Sequence, residues 1–296
     1  MPRATIGEIE LDYDCLGPEE GPALVLIMGL SMQRTAWPRS LIEALAEAGL
    51  RVITFDNRDI GLSTRYHQTP APNLLRVAAV RLTGRRPALP YTLGDLADDA
   101  AGLLDRLGIA RAHVAGISMG GMIAQQFALR HPARLASLGL LASSSGRLGL
   151  PLPRASVLRL MRTRPVGADE HAAVDYIDRL FGVLAGPGWP TAAEERRARA
   201  LEAVRRAPTG RSSERQLAAI LADRRAHLLG TIRAPTLVLH GDADPMLPSA
   251  HGRDLARRIA GSRYVEISGW GHDLPDGLMP DLARRLAEHV HAAVQR

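Results

Sequence analysis

Ala112-His113-Val114-Ala115-Gly116-Ile117-Ser118-Met119-Gly120-Gly121-Met122-Ile123-Ala124-Gln125 is the stretch from which the rest of the chain is read. The apolar run Val114-Ala115 predicts a buried strand. It enters Gly116-Ile117-Ser118-Met119-Gly120, a G-x-S-x-G pattern, and the apolar, Ala-rich segment from Met119 to Leu129 predicts a helix. A strand–turn–helix context gives that pattern chemical meaning. The turn is tight enough that only glycine leaves room on either side of the serine. Ser118 is then held proud of the sheet at a helix N-terminus, where free N–H groups and the helix dipole favour negative charge. Ser118 is therefore the candidate nucleophile, and the Met119 N–H a candidate oxyanion donor. The competing reading is a serine that only caps the helix, and the remainder of the chain decides between the two.

Outward from this stretch, strands and helices alternate. Ala23–Met28 is a continuous apolar run typical of a central strand, Pro38–Ala48 is helical, and Arg51–Asp56 is the next strand. A short helix is expected near Leu74–Leu82. Thr92 with Asp95 three residues on predicts a capped start to the helix Leu93–Leu107. Leu135–Leu141 is again a strand. From Ser143 to about Arg233 the pattern becomes purely helical, with stretches near 153–163, 168–185, 191–206 and 212–228. The α/β pattern then resumes with a strand at 236–240, a helix at 249–259, a strand at 264–267 and a final helix at 278–294. Such alternation predicts an α/β fold, a mostly parallel sheet with helices on both faces. Residues 1–142 and 234–296 would form the core, and residues 143–233 an inserted helical cap.

Composition narrows the function. The chain has 296 residues, 46% of them hydrophobic, enough for a large core. No run of about eighteen apolar residues predicts a membrane span. The start Met1-Pro2-Arg3-Ala4-Thr5 lacks a signal-peptide core, and Cys15 is the only cysteine, so cytoplasm is the expected location. Cys15 itself reads as inert packing. The formal charge is +6 and every one of the 37 basic residues is arginine. Pairs such as Arg196-Arg197, Arg205-Arg206 and Arg257-Arg258 alternate with Glu and Ala, which reads as solvated helix faces. Aromatics are only 4% and no basic block interleaves with them. Nucleic acid and membrane are therefore not expected partners, and a small-molecule substrate is.

A serine hydroxyl needs a base, and the base needs a group to orient it. Open α/β sheets bind ligands at the carboxyl ends of their strands. Strand 236–240 is followed there by Gly241-Asp242-Ala243-Asp244-Pro245, and strand 264–267 by Gly269-Trp270-Gly271-His272-Asp273. His272 is the candidate base, and either Asp242 or Asp244 the acid. His113 and His131 read as a strand-edge and a helix-end residue, and His240 as packing beside the acid turn. Asp56 and Arg58 read as structural, pairing or holding backbone near the site. Met28, Met119, Met122 and Met161 read equally as lining for an apolar pocket or as core filling. No metal or cofactor is expected, since His240, Asp242 and Asp244 lack a further ligand cluster.

Over nearly its whole length the chain resembles the α/β-hydrolases. The matching pieces are Ile27-Met28-Gly29-Leu30, Asp56-Asn57-Arg58-Asp59-Ile60-Gly61-Leu62-Ser63, Gly116–Gly121, His240–Pro245 and Gly271-His272. The resemblance implies Ser118 as nucleophile, His272 as base and Asp244 as acid. It also implies that the Leu30 and Met119 N–H groups form the oxyanion hole. Two departures, Met28-Gly29 for the usual His-Gly and Arg58-Asp59 for the usual Arg-Gly, are similar to the aclacinomycin methylesterase subgroup, which hydrolyses a methyl ester on a polyketide. The expected function is thus a cofactor-independent serine hydrolase acting on a small to medium apolar carboxylic ester. The same three groups also serve acyl transfer, perhydrolysis, carbon–carbon hydrolysis and aminopeptidase chemistry, and the fold can carry a non-catalytic binding protein. An aminopeptidase would need an acidic group for the free amine, for which Glu170, Glu194, Glu195 and Glu202 are the available residues.

Overall fold

The computed structural model describes residues 2–163, 169–207 and 211–295. The chain opens with a hairpin, β1 (Arg3–Ile6) and β2 (Ile9–Leu16), turned at Gly7 with φ 58°. It continues through β3 (Ala23–Ile27), α1 (Arg39–Glu47), β4 (Arg51–Phe55), α2 (Leu74–Leu82), α3 (Leu93–Arg106), β5 (Ala112–Ile117), α4 (Met119–Arg130) and β6 (Leu135–Leu141). Then come α5 (Ala155–Arg162), α6 (Glu170–Leu184), α7 (Ala193–Arg206) and α8 (Ser212–Ala222). β7 (Thr236–Gly241), α9 (Ala250–Arg258), β8 (Arg263–Ile267) and α10 (Met279–Val294) close the chain. Position 168, the predicted start of one helical stretch, lies outside the described residues.

The strands form one sheet in the order β1-β2-β4-β3-β5-β6-β7-β8. β3 to β8 run parallel, and only the β1–β2 and β2–β4 pairings are antiparallel. β3, β5 and β7 are buried along their whole length, as expected for strands covered on both faces. One face packs on α3, α4 and α9 through residues such as Leu96, Leu103, Ile123, Phe127 and Leu255. The other packs on α1 and α10 through Leu41, Leu45, Leu282 and Leu286. Thr92 caps α3 in a full capping box with Asp95, as its spacing predicts.

Between β6 and β7 the described residues contain helices and 3₁₀ turns but no strand. This helical insert is tied to the sheet by buried ion pairs. Arg206 of α7 reaches Asp12 of β2 at 2.6 Å and Asp56 at 2.7 Å. Arg215 of α8 forks onto Asp59 at 2.6 and 2.9 Å. The expectation that Arg205-Arg206 lies on a solvated face therefore holds for Arg205 and fails for Arg206, whose side chain is only 10% exposed. Helical spacing turns the two neighbours to different faces, and the planar guanidinium fork suits a buried carboxylate pair.

Candidate active site

The G-x-S-x-G turn is built by close approach. A Cβ on Gly116 would lie 2.3 Å from the Gly120 carbonyl, and one on Gly120 only 1.9 Å from the Ile27 oxygen, so neither position accepts a side chain. Ser118 between them adopts φ 54°, ψ −118°. The Ser118 N–H donates to Leu141 O at 2.9 Å, its carbonyl accepts from Ser143 Oγ at 2.8 Å, and α4 starts at the next residue. Other non-glycine residues with left-handed backbone are Ser31 after β3, Asp59 after β4 and Ala142 after β6. With Ser118 after β5, these strained residues line the carboxyl edge of four adjacent strands. That clustering is what a functional edge looks like.

The structure brings the three sequence-selected side chains together. Ser118 Oγ lies 3.0 Å from His272 Nε2, and His272 Nδ1 lies 2.7 Å from Asp244 Oδ2. Asp244, an ionised acceptor, assigns the Nδ1–H tautomer to His272 and leaves Nε2 as an acceptor facing the Ser118 hydroxyl. The other carboxylate oxygen of Asp244 accepts from the Met246 and Leu247 N–H groups at 2.8 and 2.7 Å. Burial works against charge on Asp244, but the imidazoles of His272 and His240 hold its carboxyl well below the usual carboxylate range. Asp242 points elsewhere and accepts from the Gly269 N–H at 2.7 Å, bracing the loop that carries His272. Of the two strand-end acids, Asp244 and not Asp242 is the one that contacts His272.

The other residues singled out in the sequence sit partly as expected and partly not. His240 does more than pack: its Nε2 donates to Leu247 O at 2.7 Å and lies 3.3 Å from Asp244 Oδ2, beneath the acid. Asp56 and Arg58 do not pair with each other but hold backbone, the second of the two roles expected of them. Arg58 forks onto Asp99, whereas Asp56 accepts from the Arg34 and Leu62 N–H groups and from Arg206. Arg58 and Asp56 face opposite ways along the loop, which sequence neighbourhood cannot reveal. His113 is buried at the start of central strand β5 rather than at an edge. It bonds Ser137 Oγ at 2.8 Å, and burial pushes its imidazole down to about 4. His131 caps the end of α4 against Asp98 at 2.7 Å.

Ser118 and His272 open into one cavity of about 1740 Å³, above the range of about 300–1,000 Å³ common for small-molecule sites. Met28, Gly29, Leu30, Ile117 and Met122 form its floor. Leu158 and Met161 of α5, Tyr176, Ile177, Leu180, Phe181 and Leu184 of α6, and Leu217 of α8 form its roof. Of the four methionines, Met28, Met122 and Met161 line the cavity, whereas Met119, at the start of α4, fills the core. Cys15 lines the cavity as well, with its thiol pushed up by burial. Glu202 also lies at the wall, whereas Glu170 and Glu195 are engaged by Arg205 and Arg199. The insert also holds the histidine loop. The His272 N–H donates to Leu184 O at 2.8 Å, and Gly188 N–H to Gly269 O at 3.0 Å. Glycines at 186, 188, 269 and 271 are required there, since a Cβ on any of them would meet backbone at under 3.0 Å.

A family model described as alpha/beta hydrolase fold matches residues 22–276. The chain belongs to the α/β hydrolases. Rhodomycin D methylesterase DauP of Streptomyces sp. strain C5 is 32% identical, over 98% of this chain and 97% of its own. Rhodomycin D methylesterase DnrP of Streptomyces peucetius is 31% identical over the same shares of each chain. A solved structure, that of the enol-lactonase from Burkholderia xenovorans LB400, is 29% identical, with 100% of both chains covered and a TM-score of 0.69. Among the described residues no helix is long and apolar enough to cross a membrane.

Proposed function

We propose that this α/β hydrolase is a serine carboxylic-ester hydrolase whose substrate is a bulky apolar ester, with a methyl ester on a polycyclic acid as the leading class. The observation that carries the proposal is the chain of hydrogen bonds from Ser118 Oγ through His272 to Asp244, opening into a large cavity with mainly apolar walls. The full-length likeness to two methylesterases supports the choice of ester.

In this reading Ser118 Oγ attacks the ester carbonyl while His272 Nε2 takes its proton. Asp244 keeps the imidazole oriented and stabilises it once charged. The oxyanion lies against the Leu30 and Met119 N–H groups. Met119 is the first residue of α4, so its N–H has no acceptor within the helix. Collapse of the intermediate breaks the ester C–O bond, and the alcohol leaves with the proton held by His272. Water then gives a proton to His272 and attacks the acyl-enzyme. The acid is released and Ser118 regains its hydrogen. Every proton is returned by these groups, and no cofactor enters the balance. Residues 143–233 act as a cap over a core formed by 1–142 and 234–296.

A turnover panel tests this function: p-nitrophenyl acetate, p-nitrophenyl esters of longer and aromatic acids, methyl esters of polycyclic acids, lactones and aminoacyl amides. Burying acyl surface contributes about 25 cal/mol per Å², so kcat/KM should rise from acetate to the bulky esters. Turnover of aminoacyl amides alone, or of no ester, would refute the reading.

A further inference from the structure

The roof of the cavity does more than enclose it. Residues 29–32 form a tight turn closed by the Met32 N–H donating to Gly29 O at 3.2 Å, with Leu30 and Ser31 as its central residues. Gly29 packs on the nucleophile's turn, where a Cβ would stand 3.4 Å from Ser118 Cβ. The Leu30 N–H shares one rigid peptide plane with the Gly29 carbonyl, so whatever fixes this turn fixes the direction of that N–H. Ser31 adopts φ 64°. Left-handed backbone at the third position of a turn is ordinarily given to Gly or Asn, so a serine there is held by its contacts rather than by its own preference.

What holds Ser31 comes from α8, far along the chain. The Ser31 N–H donates to Gln216 Oε1 at 2.9 Å across a separation of 185 residues, and Ser31 Oγ hydrogen-bonds to Ser213 Oγ one helical turn away. Gln216 is completely buried and its Nε2 has no partner, so the side chain's contribution is its acceptor oxygen. Between the two, Arg215 anchors α8 to Asp59. The helix therefore cannot drift from the turn without breaking a buried ion pair.

We propose that Gln216 is a positioning residue for the Leu30 amide, so that α8 of the insert completes the oxyanion site of the core. This rests on the reading of Ser118 as nucleophile and the Leu30 N–H as oxyanion donor. A donor that is present but misdirected binds the ground-state ester about as well as before and the tetrahedral intermediate worse.

The test compares wild type, Gln216→Met and Gln216→Glu on one p-nitrophenyl ester. Methionine keeps the volume and removes the acceptor; glutamate keeps an acceptor at the same reach. The expected result for folded Gln216→Met is a KM within about two-fold of wild type and a kcat lower by about ten-fold or more, approaching the loss seen when an oxyanion donor is removed. Affinity for a trifluoromethyl ketone, whose adduct carries the oxyanion, should fall in parallel, and Gln216→Glu should recover most of both. Ser213→Ala, which removes only the hydroxyl contact, should move the same two quantities by less and keeps the test open if Gln216→Met does not fold. Unchanged kcat in folded Gln216→Met or in Ser213→Ala, or a loss of kcat without loss of ketone affinity, would overturn the proposal. Ester turnover that survives Ser118→Ala would remove its foundation instead, and this control separates the two failures.

Discussion

Asp273 offers a prediction whose size follows from its surroundings. It adjoins His272 at the cavity wall, is 6% exposed, and its Oδ1 is buried without a hydrogen-bond partner. Burial pushes its carboxyl up from 3.8 to about 7, outweighing the opposing pull of its own backbone N–H and of His272. The native state therefore keeps the proton across a range where the unfolded chain releases it. Stability from this group is complete below the unfolded value, declines as pH rises, and is lost above the folded value. The span from 3.8 to about 7 corresponds to about 4 kcal/mol. Asp273→Asn keeps the shape and removes the titration. Urea unfolding of both proteins at about pH 5 and about pH 8 isolates the effect, because groups remote from Asp273, including His113, titrate alike in the two and cancel. Asp273→Asn should gain about 3 kcal/mol on wild type between those two conditions. An equal stability difference at both pH values would refute the argument.

The remaining predictions concern catalysis and the anchoring of the insert. Asp244→Asn removes the partner of His272 Nδ1 and should lower kcat by about a thousand-fold or more. Asp242→Asn, whose native partner is the Gly269 N–H, should cost far less, and the reverse ranking in folded variants would reassign the acid. Asp59→Ala strips Arg215 of both hydrogen bonds from its buried fork and should destabilise the protein by about 3–5 kcal/mol, read by urea unfolding. A loss under about 1 kcal/mol, typical of exposed pairs, would mean that the fork does not anchor α8.

Much of the fold is written in local pattern. Central strands such as Leu24–Ile27 and Leu237–Leu239 are apolar on both faces, and Thr92 with Asp95 announces α3, so these elements and their order are legible residue by residue. The candidate site is legible for the same reason: Ser118, Asp244 and His272 each follow a strand at the edge where parallel sheets bind ligands. The contacts that lock the insert to the core are not. Gln216 with Ser31, Arg206 with Asp12 and Arg215 with Asp59 join residues more than a hundred positions apart, and on a helix a buried arginine has the same spacing as a solvated one. Asp59 carries one signal in retrospect. An aspartate where a glycine is usual, at φ 70°, accepts a strained backbone and gains the carboxylate that binds α8.

The central claim is that Ser118 is the nucleophile, and covalent labelling tests it most directly. Purified protein treated with a fluorophosphonate should gain a single adduct, mapped by mass spectrometry to Ser118, and ester turnover should disappear in proportion to labelling. An adduct on another residue, or turnover that persists in fully labelled protein, would contradict the account.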